Sequence, residues 1–234
     1  NSTDALAFLV SLKITEPDPI DDVIRNILPK YQQDEVDEDE EAYTADIERM
    51  RVAFNTDSAS QKEKLRTALR ETSFVMVLDA GDGQRYVTPP GRAYIATERL
   101  KQLFAGVKGV FIVDDEYDCL RGEGIRELME SCGAVRYPRP LEAPYELSSN
   151  EKLELRKQTG YSTTSGANDR VTDWVLDGFD DLIELMPTLS VEHRADRAQL
   201  LWDSLVDLEE RRGRGVFDGY YSWSHYGERK TPPF

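Results

Sequence analysis

"VLDAGDGQRYVTPP", residues 77–90, decides the fold of the first half of this chain. It continues "SFVMVLDA" (73–80), an unbroken run of strand formers that is typical of a strand buried on both faces. Gly81 and Gly83 follow at once, and "QRYV" then forms a second extended run that ends at two prolines. Because tight turns between strands favour glycine, the pattern predicts a β-hairpin that turns at these two residues.

The same stretch also contains a D-x-G-x-G pattern, formed by Asp79, Gly81 and Gly83. It is similar to the motif that closes the ATP site of Hsp90-like (GHKL) ATPases, in which the aspartate accepts a hydrogen bond from the adenine amine. Such a site also needs an Asn for Mg²⁺ on an earlier helix and a later glycine-rich lid. The helix predicted before the motif contains Glu63 but no Asn, and the later glycines are too few for a lid. The hairpin is therefore favoured, and a degenerate ATP-binding domain that uses these three residues is the alternative.

Composition limits the partners of the chain. Its 234 residues carry a formal net charge of −16, which argues against direct binding to nucleic acid or to an anionic membrane surface. The acidic run "DEVDEDEE" (34–41) predicts a solvated helix face or a linker. Cys119 and Cys132 have no C-x-x-C partner and lie far in sequence from both histidines. A reducing, cytoplasmic location without a metal site is therefore expected.

Helices are predicted along most of the chain. Asp18 before Pro19 predicts a helix start, because aspartate caps the first turn and proline fits its first position. Apolar residues at helical spacing predict further helices over 58–72, 97–106, 122–135 and 190–215. In the last helix, the inward stripe is expected to comprise Ala198, Leu201, Trp202, Leu205 and Leu208.

The expected fold class is α+β and helix-dominated, with a small mixed β-sheet wrapped by helices and followed by a helical portion. Three segments are predicted. Residues 1–42 would be the helical tail of a preceding module with an acidic linker, and 43–140 a helix-plus-small-sheet module. Residues 141–234 would be a helical module that ends in an aromatic strand. The boundary is placed in "RYPRPLEAPYEL" (136–147), interpreted as an extended connector. Both ends of the chain are expected to continue into a longer protein.

Three acids, Asp114, Asp115 and Glu116, end the strand predicted from "GVFIVDDEY" (109–117). Acidic strand ends are found in metal-dependent nucleases, and a fragment of such a nuclease is a further alternative. No P-loop lysine or E-x-K motif accompanies them, so we favour acids that cap the next helix or face solvent. Nor does any nucleophile elbow surround the serines of 162–165, and no catalytic residue is expected.

Four aromatic residues near the end of the chain are the best sequence candidates for a partner-binding surface. They are Tyr220, Tyr221, Trp223 and Tyr226, within "VFDGYYSWSHYG" (216–227). Aromatic side chains are enriched at protein interfaces. The same alternation along a strand is also typical of rings that lie half in a core.

The order of short motifs over residues 69–134 resembles a unit of large bacterial sacsin-like proteins. The unit comprises "ETSFV", a hairpin, "PGRAYIAT", "LKQLFAG", "VFIVDDEY" and a helix. In that family an Hsp90-like ATPase domain lies near the N-terminus of a much longer chain. The resemblance implies a non-catalytic internal coupling or recognition segment, without a cofactor, of a chaperone-like or phage-defence protein. It also implies that the partners are other domains of the same chain and a protein client.

Overall fold

This computed structural model describes residues 18–32, 39–158, 168–218, 220–225 and 228–230. Four earlier expectations fall at least partly outside these ranges: the helical tail up to residue 17, residues 34–38 of the acidic run, the serines of 162–165, and Tyr226.

Helices account for most of the regular structure, and the α+β, helix-dominated class is confirmed. The helices are α1 (Pro19–Asp22, continued by a π-helix over Val23–Ile27 and a 3₁₀ helix over Leu28–Gln32), α2 (Glu40–Phe54), α3 (Ala59–Arg70), α4 (Glu98–Phe104), α5 (Glu123–Ser131), α6 (Ser149–Gln158), α7 (Phe179–Leu185) and α8 (Val191–Arg212). The strands are β1 (Val75–Asp79), β2 (Arg85–Thr88), β3 (Ala93–Tyr94), β4 (Phe111–Val113), β5 (Pro140–Tyr145), β6 (Asn168–Leu176), β7 (Tyr220–His225) and β8 (Glu228–Lys230). Further 3₁₀ turns lie at Pro90–Arg92, Asp118–Leu120, Met186–Thr188 and Arg214–Phe217.

The chain divides into two compact units. Unit 1 is formed by Asn1–Asp79, Gly83–Ala96 and Phe111–Val135, and unit 2 by Ala80–Asp82, Thr97–Val110 and Arg136–Phe234. The division follows contacts in space, whereas the three segments expected from the sequence are consecutive modules. Those segment boundaries therefore stay predictions.

Unit 1 contains the expected small mixed sheet, with strand order β2-β1-β4-β3. Strand β1 pairs antiparallel with β2 and β4, and β3 pairs parallel with β4. Phe74, Val75 and Val77 are fully buried, as expected for a central strand that is apolar on both faces. Helix α3 contributes Leu65 and Leu69 to the same core. Helix α1 begins as predicted, with the Asp18 side chain accepting a hydrogen bond from the Ile20 N–H at 2.9 Å.

Unit 2 contains a second sheet, which is antiparallel throughout with strand order β5-β6-β7-β8. Strand β5 lies in the stretch that the sequence suggested to be an extended connector, so that interpretation was wrong. Its two prolines, Pro140 and Pro144, are tolerated because β5 is at the sheet edge, where one side of the strand needs no N–H donors. The portion of the chain after the first sheet thus contains the predicted helices, and it also contains a second sheet that was not predicted as a unit.

Helix α8 follows the prediction in its bounds but not in its orientation. Ser190 caps it by accepting a hydrogen bond from the His193 N–H at 3.2 Å, and Gly213 ends it with φ of 78°. Leu208 is fully buried, as predicted, but Trp202 is 65% exposed. The buried line of the helix instead passes through Ser204, whose hydroxyl donates to the Leu200 carbonyl at 2.7 Å. Because its hydroxyl is satisfied within the helix, Ser204 can be buried where the apolar pattern gave no signal.

None of the helices that the structure describes combines the length and apolar character that a bilayer span requires.

Candidate functional site

The D-x-G-x-G pattern forms the predicted hairpin turn between β1 and β2. Asp79 is buried at the end of β1, its N–H donates to the Gln84 carbonyl at 2.9 Å, and its own carbonyl accepts from the Gly83 N–H at 2.8 Å. Gly83 has φ of 72°, in the left-handed region that favours glycine. The turn therefore accounts for Gly83 through its backbone conformation, and the backbone of Asp79 supplies the two hydrogen bonds that close it.

Gly81 is needed for a different reason from the one that its sequence suggested. Its φ is not positive; instead, a Cβ atom at this position would lie 2.5 Å from Lys108 Cγ and 2.8 Å from both Lys108 Cα and its backbone nitrogen. The two backbones approach too closely for any side chain. The first glycine of the pattern, Gly81, thus permits packing within unit 2, while the second, Gly83, permits the turn.

The acids at the end of β4 are held by Arg85 of the neighbouring hairpin strand. Asp114 is fully buried, and it accepts hydrogen bonds from Arg85 Nε at 2.8 Å and from the Glu116 N–H at 3.1 Å. Arg85 also donates to the Glu116 carboxylate at 2.5 Å. Bonding to Asp114 raises the pKa of the Arg85 guanidinium. One cation therefore compensates two carboxylates, which stabilises the buried charge of Asp114.

This pairing gives the acids a structural role in unit 1. Asp115 is half-buried, and its carbonyl accepts a hydrogen bond from Arg121. Across the described ranges, no cluster of three or more His, Cys, Asp or Glu side chains is arranged to hold a metal ion. The metal-dependent nuclease stays an alternative from the sequence.

A buried polar network in unit 1 escaped the sequence analysis. The Tyr43 hydroxyl donates to the Phe74 carbonyl at 3.1 Å and accepts from the Met76 N–H at 3.3 Å, which ties α2 to β1. The Tyr31 hydroxyl donates to Asp46 at 3.3 Å, and Lys30 binds the same carboxylate at 2.8 Å. Burial raises the pKa of both tyrosine hydroxyls, and the charge of Asp46 adds to this effect at Tyr31. Every polar group here has a structural partner, so the network stabilises the fold.

The most distinctive surface of unit 2 is an exposed apolar line along α8. Its members recur at helical spacing, and we call Val191, Ala195, Ala198, Trp202 and Val206 the apolar ridge. Val191 is 82% exposed, and the other four side chains are also exposed. With a rise of about 1.5 Å per residue, the ridge is roughly 22 Å long. The sequence had placed Ala198 and Trp202 in the core, so this surface was missed.

Acidic residues border the apolar ridge on one side. At about 100° per residue, Glu192, Asp203 and Glu210 lie roughly 80–100° around the helix from Trp202, and we call them the acidic flank. Glu209 lies on the line of the ridge itself, one turn after Val206. The ridge is therefore an apolar strip with negative charge along one side and at one end.

The opposite face of α8 is fixed to α4 within unit 2. Arg197 donates to the carbonyls of Leu103 at 3.0 Å and Ala105 at 2.9 Å, which are at the C-terminal end of α4. Desolvation lowers the pKa of this guanidinium. Arg99 of α4 forms an ion pair with Asp207. These contacts fix the rotation of α8 about its axis, so the ridge faces outward.

An open cleft of about 430 Å³ adjoins this contact between α4 and α8. Its lining is formed by Gln102, Ala105, Leu189, His193, Asp196, Arg197 and Leu200. The guanidinium of Arg197 is already bonded to the two carbonyls at the end of α4, so it is not poised for an anionic ligand. The cleft offers a weaker basis for function than the ridge.

For the aromatic candidates near the end of the chain, the structure describes only backbone positions. Tyr220, Tyr221 and Trp223 lie on β7, where Tyr220 is paired with Thr172 of β6 and Trp223 with both Asp169 of β6 and Lys230 of β8. Their side chains and all of Tyr226 lie outside the described part of the structure. Their role in partner binding stays a prediction.

Comparison with protein-family models, curated proteins and solved structures finds no match for this chain. The sacsin-like relationship therefore stays a prediction from the sequence motifs.

Proposed function

We propose that this chain is a non-catalytic coupling and recognition segment that binds a protein partner through the apolar ridge of α8. The observation that carries the proposal is the exposure of Trp202 within an apolar ridge, on a helix whose other face is fixed. Tryptophan is prominent among the residues that dominate binding energy at protein interfaces. A rigid helix loses little entropy when it presents such a side chain to a partner.

The motif resemblance supplies the context of this proposal. The chain would be an internal segment of a large sacsin-like protein with an Hsp90-like ATPase domain, in the cytoplasm and in a chaperone-like or antiviral role. Its task would be to relay the conformational cycle of the ATPase to a protein client or to other domains. Packed elements with two discrete arrangements can transmit such a change.

A selection from a library of displayed helical peptides tests the recognition role. We expect peptides that bind this chain, and we expect Trp202→Ala to weaken their binding by at least about tenfold. Val52→Ala is the matched control, because Val52 is an exposed apolar residue on α2 in unit 1. Binders that are insensitive to Trp202→Ala, or no binders at all, would remove the basis of the proposal.

Titration with ATP and Mg²⁺ in a calorimeter tests the non-catalytic part. Since the turn accounts for Gly83 and the close approach of Lys108 accounts for Gly81, neither glycine needs a nucleotide to explain it, and we expect no heat of binding from the wild-type chain or from Asp79→Asn. Binding to the wild type that disappears in Asp79→Asn would establish the alternative, a degenerate ATP-binding domain.

A further inference from the structure

We propose that the partner of the apolar ridge is a basic amphipathic helix, with an apolar face against the ridge and Lys or Arg along one side. This inference rests on the proposed recognition function and adds the chemistry of the partner. It is argued from the shape of the ridge, from the charges beside it and from the positions of the cations on α8.

The shape of the ridge favours a helical partner. Ala195 and Ala198 lie between the larger Val191 and Trp202. The two small side chains therefore leave a shallow depression along the ridge, with a larger side chain on either side of it. Two helices approach to within about 8–10 Å when small residues lie at their crossing point. A large apolar side chain of the partner would pack over the two alanines and beside the indole of Trp202. The ridge is long enough for about four turns of such a helix.

The charges favour a basic partner. Glu192, Asp203 and Glu210 form the acidic flank, and Glu209 closes one end of the ridge. Gln199, a neutral side chain, donates a hydrogen bond to Asp203 at 2.8 Å, beside Trp202. The whole chain adds a formal net charge of −16. A cationic helix would be attracted over a distance and oriented by the flank, whereas an anionic membrane surface or an acidic peptide would be repelled.

Among the described residues, the arginines of α8 do not pair with the acidic flank. Arg194 lies on the other side of the ridge, and its guanidinium donates to the carbonyls of Met186, Pro187 and Leu189. Arg212 lies on that same side of the helix. Arg197 is bonded to the end of α4, and Arg211 lies over the ring of Tyr137 at 5.8 Å. The acidic flank is therefore available to positive charge supplied by a partner.

A second copy of this chain is a poorer occupant. If two α8 helices packed antiparallel through their ridges, each acidic flank would face the other, which is repulsive. If they packed parallel, each acidic flank would face the side that carries Arg194 and Arg212. The donors of Arg194 are already bonded to backbone carbonyls, and Arg212 lies at one end of the helix. Neither arrangement supplies unengaged cations along the length of the acidic flank as a basic amphipathic helix does.

Three synthetic helical peptides with one shared apolar face test the inference. Their flanking positions carry Lys and Arg in the first peptide, Gln in the second and Glu in the third, and binding to the full chain is measured by fluorescence anisotropy. We expect the basic peptide to bind at least about tenfold more tightly than the Gln peptide at low salt, and the difference to shrink as salt is added. Trp202→Ala should weaken the basic peptide by at least about tenfold, and Val52→Ala should not change it.

A charge variant isolates the acidic flank. The double variant Glu192→Gln, Glu210→Gln should weaken the basic peptide by roughly threefold to tenfold and leave the Gln peptide unchanged. Glu71→Gln, Glu127→Gln is the control with the same net charge, because both glutamates are exposed on unit 1. Equal effects of the two double variants would mean that only overall charge matters, which would overturn the inference.

The outcomes separate this inference from the proposed function. If all three peptides bind equally and each is weakened by Trp202→Ala, the recognition function stands and the basic partner is wrong. If none binds in a Trp202-dependent manner, both are wrong. Concentration-dependent dimers that dissociate in Trp202→Ala, measured by sedimentation, would assign the ridge to a second copy and also overturn the inference.

Discussion

At the scale of single residues, the turn at 79–84 shows that two glycines in one motif can be required for different physical reasons. Gly83 adopts a positive φ and has open space around its missing Cβ, whereas Gly81 has an ordinary φ but no space. A sequence pattern records only that both are glycine. The structure separates a conformational requirement from a packing requirement, and the two differ in energetic cost.

We predict that Gly81→Ala destabilises the protein more than Gly83→Ala. The alanine at 83 costs about 1 kcal/mol, because its conformation is strained but nothing is displaced. The alanine at 81 costs roughly 2–3 kcal/mol, because its Cβ displaces the backbone of Lys108. Urea denaturation followed by circular dichroism measures both. Gly215→Ala, which meets no atom within 4 Å, is the control and should be near neutral.

Tyr43 gives a prediction about alkaline pH. Burial raises the pKa of its hydroxyl above the ordinary value of about 10. Above pH 10 the unfolded chain releases this proton while the folded chain keeps it, so the stabilising effect of Tyr43 is complete below pH 10 and declines above it. Tyr43→Phe removes two hydrogen bonds and should cost about 1–3 kcal/mol at pH 9.

At pH 11 this cost should be smaller by about 1.4 kcal/mol, which corresponds to one pH unit above the unfolded pKa. Urea denaturation at the two pH values measures the difference. The control is Tyr86→Phe, because Tyr86 is exposed and its hydroxyl donates to the nearby, exposed Gln84 side chain. A cost of Tyr43→Phe that is the same at both pH values would contradict the assignment of Tyr43 to the buried network.

At the scale of secondary-structure elements, α8 shows why bounds are easier to predict than orientation. Ser190 and Gly213 mark the two ends through capping, which is a local property of the chain. Which face is buried depends on the partner element, here α4, whose terminal carbonyls accept the hydrogen bonds of Arg197. Ser204 then occupies the centre of the buried line, and a polar residue there shifts the apparent apolar stripe toward Trp202.

The two faces of α8 should differ sharply in their response to truncation. Leu208→Ala should cost about 2–5 kcal/mol, because Leu208 is fully buried and its loss leaves a cavity. Trp202→Ala should change stability by less than about 0.5 kcal/mol, since most of the indole is in water in the folded state. Urea denaturation of both variants tests this. Comparable costs for the two would show that Trp202 is in the core, as the sequence pattern had indicated.

The strands also differ in whether local sequence signals are enough to predict them. Strand β1 was predicted because its apolar run and the following glycines are local signals. Strand β5 was not, because Pro140 and Pro144 are signals against a strand unless it is known to lie at a sheet edge. The apolar ridge could not be predicted either, since exposure of Trp202 is a property of the folded unit. The acidic residues of the flank can be read from the sequence, but their position beside an apolar surface is known only from the structure.

At the scale of the whole molecule, the path of the chain bears on the proposed coupling role. The chain crosses from one compact unit to the other after residues 79, 82, 96, 110 and 135. Neither unit is a continuous segment, and each contains chain segments whose ends continue directly into the other unit. The proposed coupling role requires that this connectivity make the two units unfold together.

We predict that the two units unfold in one cooperative transition. Leu208→Ala in unit 2 should accelerate hydrogen exchange of the slowest amides of β1 in unit 1, by the same factor as those of α8, because both would exchange through the same global opening. Leu65→Ala, which truncates a fully buried residue of unit 1, should have the reciprocal effect on α8. Mass spectrometry of proteolytic peptides measures the exchange rates of both units in one experiment. Trp202→Ala is the control, and it should change the slowest exchange rates of neither unit. Acceleration confined to the mutated unit would mean that the units open independently, and the crossings of the chain would then provide no thermodynamic coupling for a partner at the ridge to use.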